Sequence, residues 1–176
     1  DVGLELHFHG RQAVFDGRAD GLQLVELLDA PLDGIGDELL EVLRTAVRRD
    51  TLREDVRSMR ERMRRELSRA AAGEVDLKQD PGGIADIEFL AQFWALRWAG
   101  EHPPVALYPD TIRQLESVAS ADLVPQATVD VLTRAYRRYR ERIHHRALAD
   151  APPIVQQEEF ATERAAVIAI WEESMS

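Results

Sequence analysis

The tightest constraint on this chain lies in residues 76–92, which read Asp-Leu-Lys-Gln-Asp-Pro-Gly-Gly-Ile-Ala-Asp-Ile-Glu-Phe-Leu-Ala-Gln. A short strand-like approach around Val75 and Leu77 runs into a Pro81-Gly82-Gly83 turn. A helix pattern follows at once, with Ile84, Ile87, Leu90 and Ala91 at helical spacing and Phe93, Trp94 and Trp98 extending the apolar surface. Asp86 and Glu88 fall in the first turns, where negative charge suits the positive end of the helix dipole. Paired glycines admit positive φ and leave room for a close backbone or ligand. Lys78 is the sole lysine beside 21 arginines. It is a compact charge on a flexible stem, chemically unlike a guanidinium.

Two readings of this stretch stand side by side. Amide groups at a helix start after glycines suit a phosphate or a carboxylate, and Lys78 adds charge. The plain alternative is a tight strand-to-helix turn with a surface lysine. The spacing is not that of a Walker loop, since no Gly-Lys-Ser/Thr is present. Asp86 and Glu88, two apart on a helix, point to different faces and make a poor metal pair. Together with Asp80, they read as dipole-stabilising charges or as ion-pair partners of arginines on a neighbouring helix.

The rest of the chain reads as helices. Leu52, Val56, Met59, Met63 and Leu67 form one apolar stripe, with an Arg/Glu-rich face opposite. Thr51 and Glu54 have the spacing of a capping box, and Gly73 suits a helix stop. Asp37 suits a cap for a helix over 38–49. Asp110 suits a cap for a short helix from Thr111. A long helix is expected from Pro125 to about Ala149, with Val129, Leu132, Ala135, Tyr136, Tyr139, Ile143 and Ala147 on its buried side. Pro152-Pro153 ends it, and a last helix begins near Glu158 or Thr162. Residues 1–35 differ in texture. Val2, Leu4, Leu6 and Phe8 alternate with polar residues, and Ala13-Val14-Phe15 returns after a turn at residues 9–12. The expectation is a mainly α fold: a bundle of five to six helices over 37–176, preceded by a small β-containing piece over 1–36.

Composition narrows the function classes. There is no cysteine, hence no disulfide and no thiolate metal site, which fits a cytoplasmic protein. No apolar run reaches the roughly 18–20 residues of a membrane span. The start shows no signal-peptide pattern, and beginning at Asp1 without Met it reads as a piece of something longer. A net charge of −10 argues against nucleic acid as a partner for the whole surface. Residues 44–69 hold ten arginines against five acids, which suits either a solvated face or a docking surface for an acidic protein. That surface is the basis of the alternative function, a non-catalytic helical interaction module. His7 and His9 form a His-x-His with no evident third metal ligand. His144 and His145 diverge by about 100° on a helix, so one is expected to face the core. The Trp94/Trp98 and Tyr136/Tyr139 pairs read as core. No Gly-Ser followed by Asp-x-Asp is present, the signature that would carry the two metal ions of a nucleotidyl transferase.

The motif Asp76-Leu77-Lys78-x-x-x-Gly82-Gly83-Ile84-x-Asp86-Ile87-Glu88-Phe89-Leu90-x-Gln92 resembles the hallmark of the glutamine synthetase adenylyltransferase (adenylyl-removing) family. The uridylyltransferase of the PII signal protein carries a variant of it. The flanks, among them residues 51–63, 132–136, 143–148 and 160–164, resemble the same family, so the match covers about residues 40–174. The resemblance implies the C-terminal helical domain of a bifunctional enzyme, following a nucleotidyltransferase domain. In the full-length family enzyme, ATP and Mg²⁺ serve to adenylylate glutamine synthetase, and glutamine and the PII protein set the balance. The resemblance carries no metal ligand and no catalytic residue onto this chain. It makes Lys78, Gly82 and Gly83 candidates for the nucleotide or ligand side, and Asp76, Asp86, Glu88 and Gln92 anchors of the motif.

Overall fold

A computed structural model of the chain describes residues 4–8, 11–15 and 51–176. The expected helix over 38–49, the apolar run 22–28 and the boundary near residue 36 lie outside the described residues. Two short strands, β1 (Leu4–Phe8) and β2 (Arg11–Phe15), pair antiparallel with Leu4 opposite Phe15 and Phe8 opposite Arg11. The return strand thus starts at Arg11, inside the stretch expected to turn. The remainder is mainly helical, with five α-helices among the described residues.

Helix α1 (Leu52–Leu67) lays its apolar stripe on the core, with Met59 buried and Leu52, Val56 and Met63 packed against it. Its capping box does not form. Thr51 has near-helical backbone angles and its hydroxyl donates to the Asp55 carboxylate at 2.8 Å rather than capping an amide. The helix ends at Ser68, where the backbone becomes extended. Gly73, with φ of 84°, serves a later turn into strand β3 (Glu74–Asp76).

Helix α2 (Ile84–Trp98) is apolar nearly all round, and it is buried nearly all round. Ile87, Leu90 and Ala91 have no exposed surface, and Phe89, Phe93 and Trp94 very little. A helix of that composition has to be wrapped. Helices α1, α3 (Thr111–Ser120), α4 (Gln126–Leu148) and α5 (Ala161–Met175) all pack on it. A 3₁₀ turn, Pro103–Ala106, joins α2 to α3. Asp110 caps α3 by accepting the Arg113 amide at 3.0 Å.

Strand β4 (Ile154–Gln156) lies between α4 and α5 and pairs antiparallel with β3, Val75 opposite Val155. The Leu77 amide continues the ladder onto the Pro153 carbonyl at 2.9 Å. The two-stranded ladder fixes the approach to the Pro-Gly-Gly turn from a point 80 residues away in sequence. On α4, Val129, Leu132, Ala135, Tyr136 and Tyr139 are buried, and Trp94 likewise on α2. His144 and His145 are both exposed, as is Ala147, so the expectation of one core-facing histidine is corrected. The end of α4 runs past the core, and Leu148 stays 75% exposed. No helix among the described residues is long and apolar enough to cross a membrane.

Candidate functional site

The turn between β3 and α2 is held by its own carboxylates. Asp76 Oδ1 accepts the amides of Lys78 at 2.8 Å and Gln79 at 3.2 Å. Asp80 Oδ2 accepts the Asp76 amide at 2.8 Å, and its Oδ1 accepts the Ser68 hydroxyl at 2.6 Å. Burial pushes the Asp76 carboxyl above its ordinary range, against the pull of those two amides. Asp and Asn side chains commonly template turns in this way.

The amides that open α2 are spent inside the turn. Gly83 donates to the Asp80 carbonyl at 3.0 Å, Ile84 to Leu77 at 2.8 Å and Ala85 to Lys78 at 3.1 Å. The Gly82 amide donates to Asp86 Oδ2 at 2.7 Å. None of these four is left to cradle an anion. The two glycines have a packing reason instead. A Cβ on Gly82, whose φ is 76°, would stand 2.5 Å from the Arg164 carbonyl oxygen on α5. A Cβ on Gly83 would stand 2.6 Å from the Leu77 carbonyl oxygen. Arg164 returns the contact by donating Nε to the Pro81 carbonyl at 3.2 Å.

Asp86 and Glu88 reach different helices, as two residues 200° apart around an axis must. Asp86 is buried. Its Oδ1 accepts Arg60 Nε of α1 at 2.6 Å, with Arg64 Nη2 at 3.5 Å. Arg60 has no exposed surface, and its Nη2 donates to the Gln79 carbonyl at 2.8 Å. Burial lowers the Arg60 pKa, and the Asp86 charge and hydrogen bond oppose that. Glu88 faces α4, where Tyr136 donates its hydroxyl to Oε1 at 3.0 Å. Arg140, one turn further along α4, donates Nη1 to the same Tyr136 oxygen at 3.4 Å. Burial pushes the Glu88 carboxyl up to about 7, while the Tyr136 hydrogen bond and the charges of Arg140, Lys78 and Arg60 pull it down.

Lys78 differs from its neighbours. Its amide and its carbonyl are both bonded, to Asp76 and Ala85, so its backbone is fixed. Its ammonium makes no hydrogen bond or ion pair among the described residues, and the residue is half-buried at the edge of the site. Gln92 sits half-buried one turn beyond Glu88. His7 lies on β1 and His9 outside the described residues. Among the described residues no group of three His, Asp or Glu side chains is placed to hold a metal ion.

Sequence reasoning missed Arg60, Tyr136 and Arg164 as site residues. The signal for the first was there. Arg53, Arg57, Arg60 and Arg64 repeat the 4-3-4 spacing of the neighbouring apolar stripe, so they form a second stripe one residue round the helix. Arg53 and Arg57 donate to the Ser176 and Met175 carbonyls at the end of α5, where a cation suits the helix dipole. The arginine stripe expected to be solvated or to dock a partner is thus engaged within the domain at four positions.

The family model for GlnD PII-uridylyltransferase matches residues 50–152. The bifunctional glutamine synthetase adenylyltransferase/adenylyl-removing enzyme of Thioalkalivibrio sulfidiphilus (strain HL-EbGR7) is 41% identical over 143 residues, which cover 81% of this chain. The aligned part is 15% of that protein, so the chain corresponds to a minor fraction of its relative. A family match over more than half of the chain, and that identity over four-fifths of it, show that the chain belongs to the glutamine synthetase adenylyltransferase/adenylyl-removing enzyme family, related to the PII uridylyltransferases.

Proposed function

We propose that the chain is the C-terminal helical domain of a bifunctional glutamine synthetase adenylyltransferase. It supports transfer of AMP from ATP to glutamine synthetase and does not catalyse alone. ATP and Mg²⁺ act in a nucleotidyltransferase domain that precedes it, where transfer rests on positioning and metal electrostatics. Lys78 stands on the nucleotide side, next to Gly82 and Gly83, and Asp76, Asp86, Glu88 and Gln92 brace the wall behind it. Glutamine and the PII protein regulate the reaction in the cytoplasm.

The observation that carries this reading is the state of Lys78, a fixed backbone with an uncommitted ammonium, in a motif whose other charges are used internally. The interaction-module alternative has less support, because Arg53, Arg57, Arg60 and Arg64 are already engaged.

The test uses the full-length protein that carries this chain. Incubated with ATP, Mg²⁺ and glutamine synthetase it should adenylylate the synthetase, and incubated with UTP and PII it should leave PII unmodified. Residues 1–176 alone should do neither. Uridylylation of PII without adenylylation would assign the chain to the other branch of the family.

A further inference from the structure

The motif brings two cations to one buried carboxylate from two separate elements. Lys78 accepts the Ala85 amide on its carbonyl, which seats it against the first turn of α2. Glu88 lies three residues beyond Ala85, on the same side of that helix. Arg140 arrives from α4. It lies four residues beyond Tyr136, its guanidinium sits 5.7 Å from the Tyr136 ring centre, and it bonds the Tyr136 hydroxyl. That hydroxyl in turn donates to Glu88. Glu88 is 6% exposed, whereas Arg140 is exposed and Lys78 half-buried. The carboxylate is therefore the buried member of the group, the two cations are its more exposed members, and both charges act on it.

We propose that Lys78 and Arg140, held around the Glu88–Tyr136 pair, form a two-cation site for the phosphate chain of a nucleotide, with Glu88 and Tyr136 as its positioning residues. The proposal rests on the nucleotide-side reading of Lys78 and adds Arg140, Tyr136 and the role of Glu88.

Three features support it. The amides of Gly82, Gly83, Ile84 and Ala85 are committed, so an anion at this turn is met chiefly by side chains. The donor pair joins a compact ammonium to a planar guanidinium, a combination suited to phosphate oxygens. The charge of Glu88 is also conditional, since its carboxyl titrates at about 7. Among the groups that face it are Tyr136 and Arg140 from α4, Lys78 from the turn and Arg60 from α1, with Asp86 on its own helix holding Arg60. Protonating Glu88 leaves Lys78 and Arg140 with more uncompensated positive charge, so phosphate binding strengthens as pH falls through neutrality.

The experiment titrates ATP, and separately tripolyphosphate, into the full-length protein and its Lys78→Ala, Arg140→Ala, Arg140→Glu and Glu88→Gln variants, with thermal unfolding of each as a check on folding. Arg140→Ala and Lys78→Ala should each weaken both ligands by about tenfold, the loss of one charge-assisted hydrogen bond. Arg140→Glu should weaken them further. The double alanine variant should lose less than the product of the single losses, because both cations hold one group. Glu88→Gln should bind at pH 8 at least as tightly as the parent and with a flatter pH dependence. Arg140→Ala within twofold of the parent, with Lys78→Ala weakened, overturns the two-cation site and leaves the Lys78 reading standing. Both variants within twofold overturn the two together. A loss seen with ATP and not with tripolyphosphate overturns the assignment to the phosphate chain.

Discussion

At the scale of single residues, the site is defined by what each side chain has already been given to do. Glu88 is the clearest case. A carboxyl raised from 4.5 to about 7 binds its proton more tightly in the folded state than in the unfolded chain. Its contribution to stability is therefore fully present below pH 4.5 and is lost as pH rises through 7, a difference of roughly 3 kcal/mol. Urea unfolding of the parent and Glu88→Gln between pH 4 and 8.5 should show this directly. The difference between the two curves should move in favour of Glu88→Gln as pH rises from 4.5 to about 7, and should level off above that. A pH-independent difference would mean that folding leaves the proton affinity of Glu88 unchanged. Gly82 makes the second residue-scale prediction. Its positive φ and the 2.5 Å approach of the Arg164 carbonyl forbid a side chain, so Gly82→Ala should cost at least about 2 kcal/mol in unfolding free energy. Gly73 also has positive φ but meets nothing within 4 Å, so Gly73→Ala should cost only about 1 kcal/mol.

At the scale of elements, Asp86 joins α1 to α2. It neutralises a guanidinium with no exposed surface and also holds the Gly82 amide. Asp86→Asn keeps the shape and removes the charge, leaving Arg60 buried without a counter-ion. A loss of about 3–5 kcal/mol in chemical denaturation is expected. Replacing Arg60 and Asp86 together by Met and Leu should cost clearly less than that, since the desolvated pair is then absent altogether. The elements differ in how far the sequence discloses them. The α1 stripe and the α4 core positions up to Ile143 follow from helical spacing, because one period suffices to mark a buried face. Strand β4 does not. Three residues after Pro152-Pro153 are too short to show alternation, and the strand exists because Val155 meets Val75 across the ladder. The arginine stripe of α1 is legible as a stripe, but its partners are not. Its spacing is the same whether the guanidiniums meet water or protein, and for Arg53 and Arg57 only the chain's return after more than a hundred residues decides. The capping box failed for a local reason, Thr51 preferring the Asp55 carboxylate. In the motif, the turn and the helix start were legible from Pro81, Gly82 and Gly83. That the glycines admit α5 and the turn's own carbonyls was not, because both contacts are made by backbone from elsewhere in the fold.

At the scale of the whole molecule, residues 51–176 form a helical domain wrapped around α2, with the motif at one end of that helix and Lys78 left there without a hydrogen bond or ion pair among the described residues. The matched segment makes up 15% of its full-length relative, and under the proposed function the rest of such a protein supplies the ligand that Lys78 meets. The measurement that tests this most directly is AMP transfer from labelled ATP to glutamine synthetase by the full-length protein, parent against Lys78→Ala, with thermal unfolding of the same preparations. The account predicts transfer at least tenfold slower at subsaturating ATP, a higher ATP requirement and an unchanged unfolding temperature. Transfer with the parent's ATP and glutamine dependence in a folded Lys78→Ala protein would contradict it.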